Sequence, residues 1–386
     1  MPGEGSIIRD NAPKKELFSK QFKMVPPEKE KIAIWVITPN GTKLAETLFR
    51  NLARADVYIS KKIIEAPDDH LSFQNLSETL NHKFDQYDGH IFIMSTGIVV
   101  RVIAPFIKNK VVDPAVVVVD DQANHAISLL SGHLGGANAL TLKIADIIGA
   151  DPVITTATDV NRVPAIDVLA KEKNLLIENP RAIKTVNMAL LKRDKIFVHD
   201  PFGFLESSLP LIEPCTYGAT PKHLKKNCRA KGFDSVPGIY VDDVIVDLPP
   251  EVLVLRPASL VAGIGCNRNT AMEEMKALLE DVLEANHLAL SSLTSLASID
   301  VKSDETGMLS LSENLNLPLV FHNRQELNQV KEIKNPSIVV EKHVGVKSVC
   351  EASAILTARG GTLIVPKQST KNVTVAIARI NFLSSE

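Results

Sequence analysis

Short apolar segments rich in β-branched residues alternate with amphipathic segments along most of this chain. In the N-terminal half, the apolar segments are KIAIWVI (31–37), DVYIS (56–60), HIFIMS (90–95), AVVVV (115–119) and AISLL (126–130). Strands that are apolar along their whole length are typical of a sheet covered on both faces, and alternation with helices favours parallel pairing. The pattern predicts an α/β protein with largely parallel sheets.

The chain has 386 residues, enough for several domains. We interpret 1–30 as a polar arm, because it lacks the continuous apolar core of a signal peptide. We predict N-terminal and C-terminal α/β domains at 31–158 and 256–386, joined by a small irregular middle region at 159–255. No apolar run approaches the roughly 20 residues of a membrane-spanning helix, so we expect a cytoplasmic protein without a membrane partner.

The net charge and the cysteine spacing limit the classes of function that this protein can have. The net charge is −2, which provides no basic surface for nucleic acid or for an anionic membrane. The cysteines are isolated and never form a CxxC pair; they are Cys215, Cys228, Cys266 and Cys350. This spacing argues against a zinc or disulfide framework and for a reducing compartment.

A glycine-rich turn, SGHLGGAN at 131–138, separates a predicted strand from a predicted helix. It lacks the paired ligands of a metal site, the Gly-Lys-Ser/Thr of a phosphate loop and the frame of a nucleophile elbow. We therefore expect it to bind an anion at the start of the helix. The candidate contacts are Ser131, Gly132, Gly135, Gly136 and Asn138. His133 is a candidate for proton transfer near neutral pH, or for orienting the ligand.

Two other glycine turns carry arginines. STGIVVR (95–101) contains Gly97 and Arg101, and GIGCNRNT (263–270) contains Gly263, Gly265 and Arg268. The second turn lacks the third glycine of a dinucleotide fingerprint, which argues against a nicotinamide site. We expect both turns to bind anions, and three such turns predict a ligand with several carboxylates or phosphates.

The C-terminal part holds the other candidate catalytic residues. The spacings Thr270–Glu273 and Ser348–Glu351 predict helix capping boxes, and either glutamate is an alternative proton-transfer group. His343 precedes the second box. Lys367 follows a strand, where ligands of α/β sheets bind. Spacing alone does not rank the four candidates, which are His133, His343, Glu351 and Glu273.

Several long segments resemble the cobalamin-biosynthesis protein G family, the cobalt-precorrin-5A hydrolases. They are the segment from IFIMSTGIVVR to PVITTATD, LIENPRAIKTVNMALL, GIGCNRNTAMEEM and LIVPKQSTKNVTVAIAR, and the resemblance runs from about residue 31 to 382. It implies that water opens the δ-lactone of cobalt-precorrin-5A and that carbon 20 leaves with its methyl group as acetaldehyde, giving cobalt-precorrin-5B in anaerobic vitamin B12 biosynthesis.

The same resemblance implies that the protein needs no cofactor, because cobalt arrives inside the corrinoid substrate. Transient contact with neighbouring pathway enzymes and a homodimer are further expectations. The alternative function is a non-catalytic carrier of the corrinoid intermediate. The chain departs from the family's G-x-G-C-R-[RK]-G-T motif, because Asn267 and Asn269 replace a basic residue and a glycine. Asparagine tolerates left-handed backbone, so we expect the turn to persist with a weaker carboxylate contact.

Overall fold

The computed structural model describes residues 30–63, 69–110, 112–205, 208–209, 212–214, 237–337, 341–342 and 345–382. The chain divides into two compact units. The first unit reaches Lys171 and also includes Leu190–Lys192, while the second contains Glu172–Ala189 and the residues from Arg193 onward. The predicted arm lies outside the described residues, except for Glu30.

The first unit is built on a seven-stranded sheet. Its strands are β1 (Ile32–Val36), β2 (Ala55–Ser60), β3 (Leu71–Phe73), β4 (Gly89–Ile93), β5 (Ala115–Val119), β6 (His125–Leu130) and β7 (Asp151–Val153). Their spatial order is β3-β2-β1-β4-β5-β6-β7. Every neighbouring pair is parallel except β5 and β6. Strands β6 and β7 therefore end at the edge of the sheet where the other five begin.

Helices cover both faces of this sheet, as the unbroken apolar strands predicted. Helices α1 (Pro39–Asn51) and α4 (Ala137–Ile148) cover one face, and α2 (Leu76–Lys83) and α3 (Thr96–Ile103) cover the other. Two shorter helices, α5 (Ala157–Val160) and α6 (Ile166–Glu172), follow β7. Leu48 of α1 and Ile144 of α4 are buried in the core on one face. The core of the other face is aromatic and contains Trp35, Tyr58 and Phe92. The apolar residues thus specify a three-layer arrangement around one sheet.

The second unit begins with a five-stranded sheet. Its strands are β8 (Leu175–Ile177), β9 (Ile196–His199), β10 (Ile212–Pro214), β11 (Gly238–Val241) and β12 (Leu253–Pro257), and helix α7 (Ile183–Lys192) follows β8. The order is β10-β9-β11-β12-β8, and only β8 is antiparallel to its neighbour. The sequence indicated an irregular region here, because strands of three to five residues are too short to show a clear period.

A second sheet of this unit holds the C-terminal strands. They are β13 (Leu260–Cys266), β14 (Leu293–Ile299), β15 (Leu319–His322), β16 (Thr362–Ser369) and β17 (Val373–Arg379), and the helices are α8 (Met272–Ala285), α9 (Thr306–Leu315), α10 (Arg324–Gln329) and α11 (Val349–Thr357). The order is β15-β14-β13-β17-β16, with only β17 antiparallel to its neighbours. Strands β13, β14, β15 and β16 therefore end at one edge.

The predicted α/β architecture with largely parallel sheets is confirmed. Across the described ranges, none of the helices has the length and apolar character needed to cross a bilayer.

Candidate active site

The loops that follow β6 and β7 bring one histidine between two aspartates. His133 Nε2 lies 3.0 Å from Asp159 Oδ2 and 3.0 Å from Thr158 Oγ1, and its Nδ1 lies 3.3 Å from Asp167 Oδ2 in α6. The side chain of Asp167 is 4% exposed, whereas that of Asp159 is 40% exposed. The imidazole ring therefore connects a buried carboxylate to an accessible one.

The two aspartates change the proton affinity of the ring. The hydrogen bond with Asp167 raises the pKa of His133 above its ordinary value, against the effect of burial, and Asp159 adds to the rise. Burial acts to raise the pKa of Asp159, but hydrogen bonds with His133, Thr156 and Thr158 outweigh it and lower that pKa. The arrangement favours an imidazolium that stays paired with an ionised Asp159.

Asn138 anchors the accessible aspartate. Its Nδ2 donates to Asp159 Oδ2 at 3.1 Å and to Thr156 Oγ1 at 2.7 Å, while its Oδ1 accepts from Ser128 Oγ at 2.7 Å. Both Nδ2 hydrogens are thus used inside the protein, and the residue is only 7% exposed. The sequence predicted Asn138 as a ligand contact, whereas in the structure its side chain holds Asp159 in place.

The glycines of the turn at 131–136 are required by close packing. A Cβ atom on Gly135 would lie 2.3 Å from Ser131 Cβ, and one on Gly132 would lie 2.7 Å from Asn138 Oδ1. Gly136 has φ +88° and Ser131 has φ +60°, both in the left-handed region. These residues shape the turn that presents His133.

The first amides of α4 are satisfied within the same turn. The donors are Gly136, Ala137 and Asn138, and the acceptors are the carbonyl oxygens of His133, Ser131 and Gly132. The expected anion site on the helix N-terminus therefore cannot use these three amides, because the chain folds back and occupies them.

Gly97 and Arg101 lie away from His133. They follow β4, and β4 ends at the edge of the sheet where β6 begins, as the pairing of Val119 in β5 with Ala126 in β6 shows. Five-residue strands of about 16 Å separate the two edges. Arg101 Nη1 donates to the carbonyl of Gly97 at 2.9 Å. The structure therefore does not bring these two anion turns into one site.

The C-terminal turn carries Arg268 at the end of β13. The guanidinium pairs with the Asp304 carboxylate, and its Nη2 donates to the Val301 carbonyl at 2.7 Å. Asn269 has φ +60°, and its amide donates to Glu305 Oε1 at 2.7 Å. The expectation that asparagine would keep the left-handed turn is confirmed.

The two motif glycines Gly263 and Gly265 lie within β13, which continues to Cys266. The prediction that these two glycines form a turn is wrong. A Cβ atom on Gly263 would lie 1.9 Å from the carbonyl oxygen of Cys350 in α11, and one on Gly265 would lie 2.6 Å from Thr374 Oγ1. The glycines allow the close approach of a helix and of the neighbouring strand.

Glu351 is fully buried at the start of α11. Its carboxylate accepts hydrogen bonds from the backbone amides of Lys334, Asn335 and Lys367 at 2.8, 3.1 and 2.9 Å. Lys367 Nζ donates in turn to the Asn335 carbonyl at 3.1 Å. Because the carboxylate is inaccessible and holds three backbone amides from two other segments, its geometry fits a structural role and offers no path for proton transfer.

The capping predictions have different outcomes. Ser348 Oγ accepts from the amide of Glu351 at 3.4 Å, as predicted, although the glutamate side chain does not return to Ser348. The predicted capping box at Thr270 and Glu273 is wrong, because the N-cap of α8 is Ala271. Thr270 Oγ1 donates to the Asn267 carbonyl at 2.9 Å instead.

Glu273 is exposed in the first turn of α8. His343, the remaining candidate, lies outside the described residues.

Sequence reasoning missed both aspartates that contact His133. Asp159 and Asp167 lie 26 and 34 residues along the chain from the histidine, beyond the reach of any local spacing rule. The available signal was the polar loop TTATD after a short strand, since such loops collect at the carboxyl ends of strands.

Three family models match the chain in succession. They are Cobalamin synthesis G N-terminal at residues 78–159, Cobalamin biosynthesis central region at 164–257 and Cobalamin synthesis G C-terminus at 260–378. His133 and Asp159 lie in the first segment and Asp167 lies in the second. The histidine site is therefore assembled from two of the three family segments.

Two relatives match most of the chain. The cobalt-precorrin-5A hydrolase of Salmonella typhimurium is 36% identical over 337 residues, which cover 86% of this chain and 93% of the relative. The cobalt-precorrin-5A hydrolase of Priestia megaterium is 33% identical over 359 residues, which cover 91% and 95%.

Among solved structures, a putative cobalamin biosynthesis protein G homolog from Sulfolobus solfataricus is 22% identical, with a TM-score of 0.35, and the match covers 92% of this chain and 99% of that one. The three family models and the two hydrolases place this chain in the cobalamin synthesis G family.

Proposed function

We propose that the protein hydrolyses the δ-lactone of cobalt-precorrin-5A and releases acetaldehyde, which gives cobalt-precorrin-5B in anaerobic cobalamin biosynthesis. The observation that carries this proposal is the full-length similarity to two proteins named cobalt-precorrin-5A hydrolase. The paired His133 and Asp159 supply the kind of proton-transfer group that the reaction needs.

Two proton transfers of the reaction involve the oxygen that leaves the lactone carbonyl. Water adds to the lactone carbonyl, the acyl C–O bond breaks, and the departing oxygen takes a proton. The resulting hydroxyl then loses its proton as the C–C bond breaks, so that acetaldehyde leaves and the electron pair passes into the macrocycle. A single group that first donates and then accepts a proton serves both steps.

His133 is suited to this order of events. Its raised pKa keeps it protonated further towards neutral pH than an ordinary histidine, so it begins as an acid. After it has donated its proton, the neutral ring is the base for the second step. Asp159 stabilises the imidazolium at the start and at the end of the cycle.

The proposed reaction requires no cofactor from the protein, because water is the co-substrate and cobalt is part of the corrinoid. Lys171 offers a contact for a substrate carboxylate beside His133, since its side chain is 52% exposed and its Nζ lies 3.4 Å from the Leu134 carbonyl. Arg101, Arg268 and Lys367 remain proposed carboxylate contacts. A cytoplasmic location, a homodimer and transient transfer to neighbouring pathway enzymes belong to the same proposal.

The direct test is anaerobic incubation of the purified protein with cobalt-precorrin-5A and measurement of acetaldehyde. We expect His133→Gln to lower kcat by about 10²- to 10⁴-fold, the usual contribution of a positioned acid–base group. His125→Gln is the matched control, because this exposed histidine lies at the opposite end of β6.

Two results would count against the proposal. Corrinoid binding by the wild-type protein without acetaldehyde would identify a carrier. Full turnover by His133→Gln would remove this histidine from the chemistry.

A further inference from the structure

The most deeply buried charged group beside the candidate site is Asp167, which is 3% exposed. It lies in α6, outside the glycine turn and outside the segment that contains His133 and Asp159. We infer that Asp167 is a positioning residue, which holds the His133 ring with Nδ1–H directed at its own carboxylate and leaves Nε2 as the atom that transfers the proton. The kinetic consequence of this inference rests on the proposed function.

The geometry determines which ring nitrogen is free to react. An ionised carboxylate only accepts hydrogen bonds, so in the imidazolium Nδ1–H points at Asp167 Oδ2, 3.3 Å away, and Nε2–H points at Asp159 Oδ2, 3.0 Å away. The Nδ1 proton is enclosed, because Asp167 is buried, whereas Nε2 lies beside the accessible carboxylate of Asp159 and is the nitrogen that gives up its proton. The Thr158 hydroxyl, 3.0 Å from Nε2, can then donate to the lone pair of the neutral ring. A buried carboxylate that fixes the tautomer of a functional histidine is a recurrent arrangement in enzyme sites.

In the part of the chain that the structure describes, two elements contribute charged groups around the ring. Helix α6 contributes Asp167, and one turn later Lys171, whose Nζ approaches the Leu134 carbonyl at 3.4 Å. The segment around α5 contributes Asp159, with Thr158 beside it. Among the described residues, removing the Asp167 charge leaves Asp159 as the carboxylate that contacts the ring, and therefore weakens the hold of the ring on its proton.

The first experiment follows the tautomer and titration of His133 by NMR in the full-length protein with ¹⁵N-labelled histidine. The His133 signals are assigned from their loss in His133→Gln. In the wild type we expect an Nδ1–H tautomer and a titration midpoint above about 6.5. Asp167→Asn is expected to lower the midpoint and to mix the tautomers. Glu172→Gln, which removes an exposed carboxylate from the same helix, is expected to change neither.

The second experiment measures acetaldehyde release against pH. If His133 starts as an acid, activity falls as pH rises through its pKa, and in Asp167→Asn this fall occurs at lower pH. We expect kcat to drop at least about tenfold with KM within about twofold, because a positioning residue acts on the reaction and not on substrate binding. Asp167→Glu keeps the charge and is expected to recover more of the pH profile than Asp167→Asn.

The outcomes separate this inference from the proposed function. An unchanged tautomer and midpoint in a folded Asp167→Asn protein overturn the inference, whatever the activity. A wild-type protein that makes no acetaldehyde overturns the proposed function, and the NMR result still decides the role of Asp167. If Asp167→Asn does not fold, the His133 ring is measured in Asp167→Glu. A tautomer and titration midpoint equal to those of the wild type support the inference. A neutral ring with its proton on Nε2 overturns it.

Discussion

At the scale of single residues, the first unit contains two histidines with opposite proton affinities. His90 is fully buried between Trp35, whose Nε1 donates to Nδ1 at 3.0 Å, and the Phe84 carbonyl, which lies 3.0 Å from Nε2. Burial lowers the pKa of His90 to about 4. His133 has two carboxylates for neighbours, and its pKa is raised. The neighbours of each ring, and not the residue type, decide whether it carries charge.

These shifts predict a pH range of greatest stability. The stabilisation from His133 is complete below its unfolded pKa of about 6.5 and is lost as pH rises through its higher folded value. The stabilisation from neutral His90 is present above about 6.5 and is lost as pH falls towards about 4. We expect the unfolding midpoint of His133→Gln to depend less on pH above 6.5 than that of the wild type, with the fall between about 6.5 and 4, which His90 causes, unchanged. If the unfolding midpoints of the wild type and of His133→Gln depended equally on pH above 6.5, the pairing of His133 with its aspartates would be contradicted.

At the scale of elements, the direction of one strand decides which residues meet. β6 is antiparallel to β5, so the turn after it reaches the edge where β7 ends and not the edge of Gly97 and Arg101. Packing between elements also explains Gly263 and Glu351, which the sequence motifs suggested as binding and catalytic residues. Gly263 allows α11 to touch β13, and Glu351 ties the start of that helix to two other segments.

Substituting Gly263 tests the helix–strand contact. Gly263→Ala places a methyl group where the Cys350 carbonyl already lies, and overpacking of this kind costs about 1–3 kcal/mol or more. We expect a lower urea midpoint for unfolding of the second unit. Gly97→Ala is the matched control, because its methyl group meets only the flexible end of Arg101 at 3.3 Å. If the urea midpoint of Gly263→Ala equals that of the wild type, α11 and β13 can move apart enough to accommodate the methyl group.

At the scale of the whole molecule, the chain forms two compact units, and each has its own cores. The histidine site lies entirely in the first unit, although its residues come from two family segments. The predicted boundary between 158 and 159 would separate Asp159 and Asp167 from His133. The compact unit therefore keeps together three residues that the boundary predicted from the sequence would separate.

The single tryptophan offers a probe of one unit. Trp35 is buried in the first unit, so its fluorescence reports on that core, while far-UV circular dichroism reports on both units. Units with separate cores tend to unfold as separate cooperative units. We therefore expect Gly263→Ala to shift the circular dichroism transition more than the fluorescence transition. Equal shifts by both probes would indicate one cooperative unit.

The sequence by itself determined the α/β class, five strands of the first unit and the left-handed turn at Asn269, together with the family. These features follow from periodicity and backbone preference, which act over a few residues. Only the tertiary structure decided that His133 meets Asp159 and Asp167, that Asn138 faces the protein, and that Glu351 is sealed in a core. Those contacts depend on strand direction and on loops that return from distant positions, and no local pattern encodes either of them.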